Sequence, residues 1–415
     1  MTPYNRQSGS LHIDQVSCSE LADTFGTPLY VYHRGSIEAA WQEFANALQG
    51  ANHLICYAVK ANSNLAILDT LARLGSGFDI VSLGELKRVL AAGGKPDKVV
   101  FSGVGKSHRE MAAALEAGIR CFNVESESEL DRLAEVASAH GVIAPVSLRI
   151  NPDVDAQTHP YISTGLKENK FGINMADAMQ AYRHAAQLPS ISIQGIDCHL
   201  GSQMTSLSPY IDAFELLMSM VDQLQSEGIS LTHIDVGGGQ GIDYRRGDDR
   251  LDIQAWANSV ISAVADRDLE ILVEPGRYIV GQAGVLLTRV EYLKSNDDRH
   301  FAVVDAAMND LIRPALYSAW QDIEPVETLE RASRLYDVVG PICESADFLG
   351  KQRQLAIAEN DLLCVSSAGA YGFVMSSNYN TRPRAAEVMV DGDNSFLVRA
   401  REEIEALFAE EFLLP

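Results

Sequence analysis

Apolar positions along the chain fall into short runs separated by longer stretches of helical periodicity. Leu54 to Val59, Val99 to Ser102, Cys121 to Val124, Val146 to Ile150, Gly195 to His199, His233 to Val236 and Ile271 to Val273 have the length and side chains of buried strands. Between them, Asn64 to Arg73, Gly84 to Ala92, Glu110 to Ala117, Ser128 to His140, Ala176 to Gln187, Pro209 to Glu227 and Ile253 to Ala265 repeat apolar residues at helical spacing. Such alternation makes parallel strands joined by crossover helices. Roughly eight units over about 250 residues suit an α/β fold of the closed (β/α)8 TIM-barrel kind better than a doubly wound open sheet, the other arrangement this rhythm allows. Ahead of the rhythm lie a short strand, Leu11-His12-Ile13, and a helical piece, Ser19 to Phe25.

The texture changes near residue 280. Gly284 to Tyr292, Phe301 to Val304, Tyr336 to Val339, Asp361 to Ser366 and Ala385 to Val390 read as strands with little helix between them, as in a mainly antiparallel sheet. Gly281-Gln282-Ala283-Gly284 is the expected boundary, with a barrel over 26–280 and a β-sandwich or barrel-like domain over 281–415.

Composition narrows the function. Of 415 residues, 47% are hydrophobic and 21% charged, the balance of a globular protein with a sizeable core. A net charge of −23 disfavours nucleic acid or an anionic membrane surface as partner, because their phosphates would repel the chain. An anionic ligand in a local positive pocket stays possible. The opening MTPYNRQSGS has no apolar signal core and no run reaches membrane-spanning length, so a cytoplasmic protein is expected. Cys18, Cys56, Cys121, Cys198, Cys343 and Cys364 lack paired spacing, which argues against a disulfide framework and a zinc site; no metal is expected.

In a barrel, chemistry sits at the C-terminal strand ends. Lys60 ends the run Ile55-Cys56-Tyr57-Ala58-Val59. Lysine is seldom fully buried, so one delivered to the edge of a core either snorkels to solvent or serves as an amine nucleophile able to hold pyridoxal phosphate (PLP). Three more strand ends are polar or glycine-rich: Cys198-His199-Leu200-Gly201-Ser202-Gln203, Asp235-Val236-Gly237-Gly238-Gly239-Gln240-Gly241 and Glu274-Pro275-Gly276-Arg277. The triple glycine allows backbone N–H groups to approach an anion, and equally suits a tight strand-to-helix turn. Asp79 and Arg149 sit at further strand ends, either near a cofactor or in a structural salt bridge.

Taken in order, Tyr57-Ala58-Val59-Lys60-Ala61-Asn62, His199 to Gln203, the glycine loop, Glu274 to Arg277, Cys343-Glu344-Ser345-Ala346-Asp347-Phe348 and Gly369-Ala370-Tyr371-Gly372 resemble the PLP-dependent decarboxylases of the alanine-racemase fold type. His159 to Gly165 with Lys170-Phe171-Gly172, and Asn309 to Tyr317, extend the resemblance nearly end to end. It implies a PLP-binding barrel, a β domain that takes in the N-terminal strand of residues 1–25, and a homodimer with active sites at the subunit interface. By the same resemblance, Lys60 carries the cofactor and His199 stacks on its ring. Ser202, Gly239 and the stretch Glu274, Pro275, Gly276 and Arg277 hold the phosphate side, and Glu274 also faces the ring nitrogen. A carboxylate there keeps the nitrogen protonated and the ring a better electron sink.

Decarboxylation must return a proton to carbon, and Cys343, followed by the carboxylate of Glu344, is the expected donor; the resemblance implies that both act on the partner's site. Substrate choice turns on charge at the far end. Ornithine or lysine carries a lone ammonium there, whereas diaminopimelate carries an ammonium and a carboxylate and so needs both signs in its site. Arg277, Arg313 and Tyr317 suit the carboxylate, Glu344 the ammonium, and Tyr371 a bridge from substrate to phosphate. The expected activity is PLP-dependent decarboxylation of meso-2,6-diaminopimelate to L-lysine. A racemase of the same fold needs no such cysteine segment, and a non-catalytic PLP carrier needs no β domain. The stretch 163–171, charged and glycine-bearing, suits a mobile cover.

Overall fold

The computed structural model describes residues 3–154, 170–245, 247–296 and 299–415. Two compact units emerge: one of Glu38–Ile242 with Asp249–Tyr278, and one of Met1–Ile37, Asp243–Asp248 and Ile279–Pro415.

In the first unit, eight parallel strands close into a barrel: His53–Ala58, Gly77–Ile80, Val99–Phe101, Cys121–Val124, Ala144–Asn151, Ile191–Asp197, His233–Asp235 and Glu270–Val273. Each pairs with the next, and the last returns to the first through Val273 opposite Ile55. Closure excludes the open sheet. Ile173–Asn174 adds a short parallel pairing outside the ring, against Ile150 and Asn151. Leu54, Cys56, Val100, Cys121 and Leu272 pack together as one layer of the core.

Helix starts follow local chemistry. Ser107 accepts a bond from the backbone N–H of Glu110 while the Glu110 carboxylate takes the Ser107 N–H, and Ser82, Ser126 and Asp252 cap three further helices. Gly118 and Gly141 end two of them in the left-handed conformation.

The second unit is a mainly antiparallel sheet ordered Phe348–Leu355, Arg334–Val339, Arg299–Val304, Gly284–Asn296, Leu29–His33, Ala386–Asp391 and Asn394–Arg399. Two of its pairings are parallel. Leu29–His33 falls in the range expected for the barrel, yet it pairs with Gly284 to Leu287 on one side and Ala386 to Val390 on the other. The reason is alternation. Leu29 and Val31, Val285 and Leu287, and Val388 and Val390 present one face at a period of two, and all six join a single buried cluster with Leu11, Ile13 and Leu21. Residues 10–13 pair with Asn5–Gln7 and Val16–Ser17 in a small sheet of three strands, so the N-terminus joins this unit through side-chain packing and through Leu29–His33.

Leu287 is fully buried at the centre of that cluster. Leu287→Ala is expected to destabilise the protein by about 2–5 kcal/mol in denaturant unfolding, the transfer loss plus the residual cavity; a loss under about 1 kcal/mol would contradict the packing described.

Candidate active site

Every barrel strand delivers a polar residue at or just past its C-terminal end: Lys60, Asp79, Ser102, Asn123, Arg149, Asp197, Asp235 and Glu274 in strand order. This ring sets four acids against two cations, and apart from Lys60 all its members are buried. Lys60 lies on a short 3₁₀ turn, Val59–Ala61, and its ammonium meets Asp79 Oδ2 at 3.1 Å. Arg149 reaches Glu125 at 3.3 Å and Asp197 at 3.8 Å, so it serves in a salt-bridge network.

Asp197, Asp235 and Glu274 offer oxygens that all lie within 4.8 Å of one another, and Asn123 Nδ2 lies 3.3 Å from Glu274 Oε1 and 3.5 Å from Asp235 Oδ2. Three acids this close cannot all be ionised in a dry interior. Burial first, and then the neighbouring carboxylates, push Glu274 and Asp197 well above the usual carboxylate range. Asp235 moves the same way, chiefly through burial, against the opposing pull of the Gly237 N–H on its Oδ1. His199 is affected oppositely: burial, Lys60 and Arg149 hold its imidazole well below its ordinary value, so it is neutral. Its Nδ1 accepts the Gly238 N–H at 3.2 Å, and the 3.9 Å approach to Glu274 is a contact with a neutral ring rather than an ion pair.

The glycine loop is forced by its neighbours. A Cβ on Gly238 would lie 2.1 Å from the Glu274 carbonyl oxygen, and one on Gly239, whose φ is +92°, 2.2 Å from the Gly201 carbonyl oxygen. The loop is laced to the segment after His199 by Met204 N–H to Gly239 O and Gly241 N–H to Met204 O, both 2.9 Å. Arg277 Nη2 donates to Ser202 Oγ at 2.7 Å, while the Pro275 carbonyl accepts the Ala58 N–H at 3.1 Å beside the lysine turn. Lys60, His199, Ser202, Gly239, Glu274, Pro275, Gly276 and Arg277 thus converge in one unit.

These residues fit a phosphorylated pyridoxal. The barrel offers an amine, a neutral flat ring beside a proton-holding carboxyl, and a serine and arginine next to a loop that admits no Cβ. Asp79 Oδ1, 0% exposed with its residue, has no hydrogen-bond partner among the described residues and points to a cationic group near the lysine.

The other expected residues belong to the sheet unit. Arg313 and Tyr317 open and close a short helix, and the Arg313 guanidinium stacks on Tyr244 at 4.6 Å. Tyr371 takes a left-handed φ of 54° in the loop after Leu362–Val365. Cys343 is exposed, whereas the other five thiols are buried. Asp347 joins the two segments by accepting the N–H groups of Met308 at 2.7 Å and Ile342 at 2.8 Å. His159 to Gly165, and most of the stretch read as a mobile cover, lie outside the described residues. Sequence reasoning passed over Asp197 and Asn123, each a polar residue in an apolar strand, and Tyr379 and Asn380, which carried no motif.

The carboxyl cluster has a pH consequence. The folded chain keeps protons on Asp235 and Glu274 that the unfolded chain releases near ordinary carboxylate values, so their contribution to stability falls as pH rises through that window. Asp235→Asn removes one of these groups. In urea unfolding of cofactor-free protein, its stability relative to the parent is expected to improve by at least about 1 kcal/mol between about pH 4 and about pH 8. A difference that stays constant with pH would contradict the shared-proton cluster.

A family profile described as "Pyridoxal-dependent decarboxylase, pyridoxal binding domain" matches residues 34–281. Diaminopimelate decarboxylase of Pseudomonas fluorescens is 60% identical over 100% of both chains, and that of Vibrio cholerae 59% identical over 99% of this chain and 98% of its own. The crystal structure of diaminopimelate decarboxylase from Helicobacter pylori complexed with L-lysine superposes with a TM-score of 0.92 at 42% identity, covering 95% of this chain and 98% of that one. A lysine-bearing closed barrel with a buried carboxyl cluster, an antiparallel sheet unit and full-length identity of this order together place the chain in the diaminopimelate decarboxylase family of pyridoxal-dependent decarboxylases.

Proposed function

We propose that this chain releases one carboxyl group of meso-2,6-diaminopimelate as CO2 and leaves L-lysine, the last step of lysine biosynthesis, with PLP as cofactor. The observation that carries the reading is the buried Glu274 carboxyl beside neutral His199, in the same barrel mouth as the Lys60 amine. Support comes from relatives of that name matched over their whole length and from a structural neighbour bound to L-lysine.

Bound PLP supplies the electron sink that receives the electron pair left behind when CO2 departs. The chain's own residues supply the rest. The Lys60 amine is the attachment point, and Asp79 at 3.1 Å orients it. Glu274, which burial and then Asp235, Asp79 and Asp197 keep protonated, would face the ring nitrogen and hold that proton between the two. His199, held neutral and fixed through its Nδ1, offers an uncharged face for stacking without competing for that proton. Ser202, Arg277 and the Gly237–Gly239 loop receive the phosphate. Cys343 holds the proton returned to the α-carbon, so that one CO2 leaves and one hydrogen replaces it. Arg313, Tyr317 and Arg277 bind the distal carboxylate, Glu344 the distal ammonium, and Tyr371 spans substrate and phosphate.

We further propose a homodimer in which Cys343 and Glu344 act on the partner's site, which accords with their exposure on the single chain. A cytoplasmic location goes with the reading and suits six free thiols. No helix among the described residues is long and apolar enough to cross a membrane.

CO2 release from a panel of meso-diaminopimelate, lysine, ornithine and arginine tests the assignment. Turnover of diaminopimelate exceeding that of each other amino acid by at least about a hundredfold is expected, since a buried charge left unpaired penalises the wrong substrate. Comparable rates on ornithine or lysine would overturn it. Arg313→Ala is expected to lower kcat/KM for diaminopimelate by about a hundredfold or more, with PLP occupancy unchanged; undiminished turnover would remove Arg313 from the substrate site.

A further inference from the structure

Cys343 and Glu344 lie on an exposed loop, where an unbraced carboxylate would wander among rotamers. Each is held from the same place. Tyr379 Oη donates to Glu344 Oε1 at 2.7 Å, and Asn380 Oδ1 accepts the backbone N–H of Cys343 at 3.0 Å. Asn380 and Thr381 both adopt left-handed φ, 56° and 55°, and in this tight turn the consecutive residues Tyr379 and Asn380 present their side chains to Glu344 and Cys343.

The turn itself is anchored on both flanks. Ser377 N–H donates to the Asn309 carbonyl at 2.9 Å, beside the segment that leads to Arg313. Asn378 Nδ2 donates to Glu402 Oε2 at 2.7 Å, and Arg382 Nη2 to the Asp305 carbonyl at 2.6 Å. Asp347 ties the far end of the Cys343 loop back to Met308. Strain of the kind stored in two successive left-handed residues persists only where the surroundings enforce it. Here those surroundings lead to the proposed proton donor and the proposed ammonium site.

We infer that Tyr379 and Asn380 are positioning residues for the decarboxylation: Tyr379 aims the Glu344 carboxylate at the distal ammonium of the substrate, and Asn380 fixes the backbone that presents the Cys343 thiol. The inference rests on the functional reading above and assigns roles to two residues that no motif carries.

Steady-state kinetics of the holoenzyme on meso-diaminopimelate separates the two roles. Tyr379→Phe removes one hydrogen bond to a charged group, and KM is expected to rise about five- to tenfold with kcat within about twofold. In a Glu344→Gln background the same change is expected to have little further effect, because the two residues act through one contact. Asn380→Gly keeps the left-handed turn but loses the acceptor, and is expected to lower kcat about tenfold with KM nearly unchanged, whereas Asn380→Asp, which keeps an acceptor oxygen, recovers most of it. An unaltered KM in Tyr379→Phe, or an equal fold-change with and without Glu344, overturns the role of Tyr379. Full kcat in Asn380→Gly, or no recovery in Asn380→Asp, overturns that of Asn380. Parent enzyme that releases no CO2 from diaminopimelate overturns the functional reading and this inference together, whereas an active parent with silent variants overturns this inference alone.

Discussion

Charge crowding at the mouth of a closed barrel is the constraint on which the site depends. Asp79, Asp197, Asp235 and Glu274 face one another at strand ends with Arg149 and Lys60 as the only cations of the ring. An isolated buried carboxylate is expensive, and three with oxygens inside 4.8 Å are affordable only if protons stay on some of them. That requirement makes the site receptive to a cationic, protonated aromatic ring. A cationic heterocycle beside Glu274 would relieve that crowding. Burial, with the Lys60 and Arg149 cations nearby, keeps His199 neutral at 3.9 Å from Glu274, and its Nδ1 accepts the Gly238 N–H.

Rigid elements and loops divide the labour. The groups assigned to the cofactor come from strand ends, where each position is fixed by a ladder of parallel pairings and a one-residue slip would turn every side chain to the wrong face. Arg277 apart, the groups assigned to substrate and proton return come from the sheet unit's connections, among them the helix Arg313–Tyr317 and the loop of Cys343 and Glu344. These connections lack strand pairing, and instead Asp347, Asn309, Asn380 and Tyr379 stitch them to one another. Polar cross-links between loops are a natural way to obtain precision where no sheet supplies it.

Much of this was legible in the residues alone. The strand-helix rhythm pointed to the barrel, and Lys60, His199, Glu274 and the triple glycine stood out because polar or flexible residues end apolar runs. Other features were hidden for physical reasons. Leu29–His33 is a buried strand in an otherwise helical neighbourhood, and only its shared period with Val285 and Leu287, some 250 residues away, reveals its sheet. Asp197 and Asn123 matter through neighbours distant in sequence. Tyr379 and Asn380 matter only because a turn with two left-handed residues meets a loop more than thirty positions upstream, a relation that no local pattern encodes.

The central claim is that a single amine, Lys60, carries the cofactor at the centre of the crowded ring. Borohydride reduction of the PLP-loaded protein followed by peptide mass mapping tests it directly. The account predicts one pyridoxyl adduct per chain, on the peptide that contains Lys60. An adduct on any other lysine, or none on a protein that has taken up PLP, would contradict it.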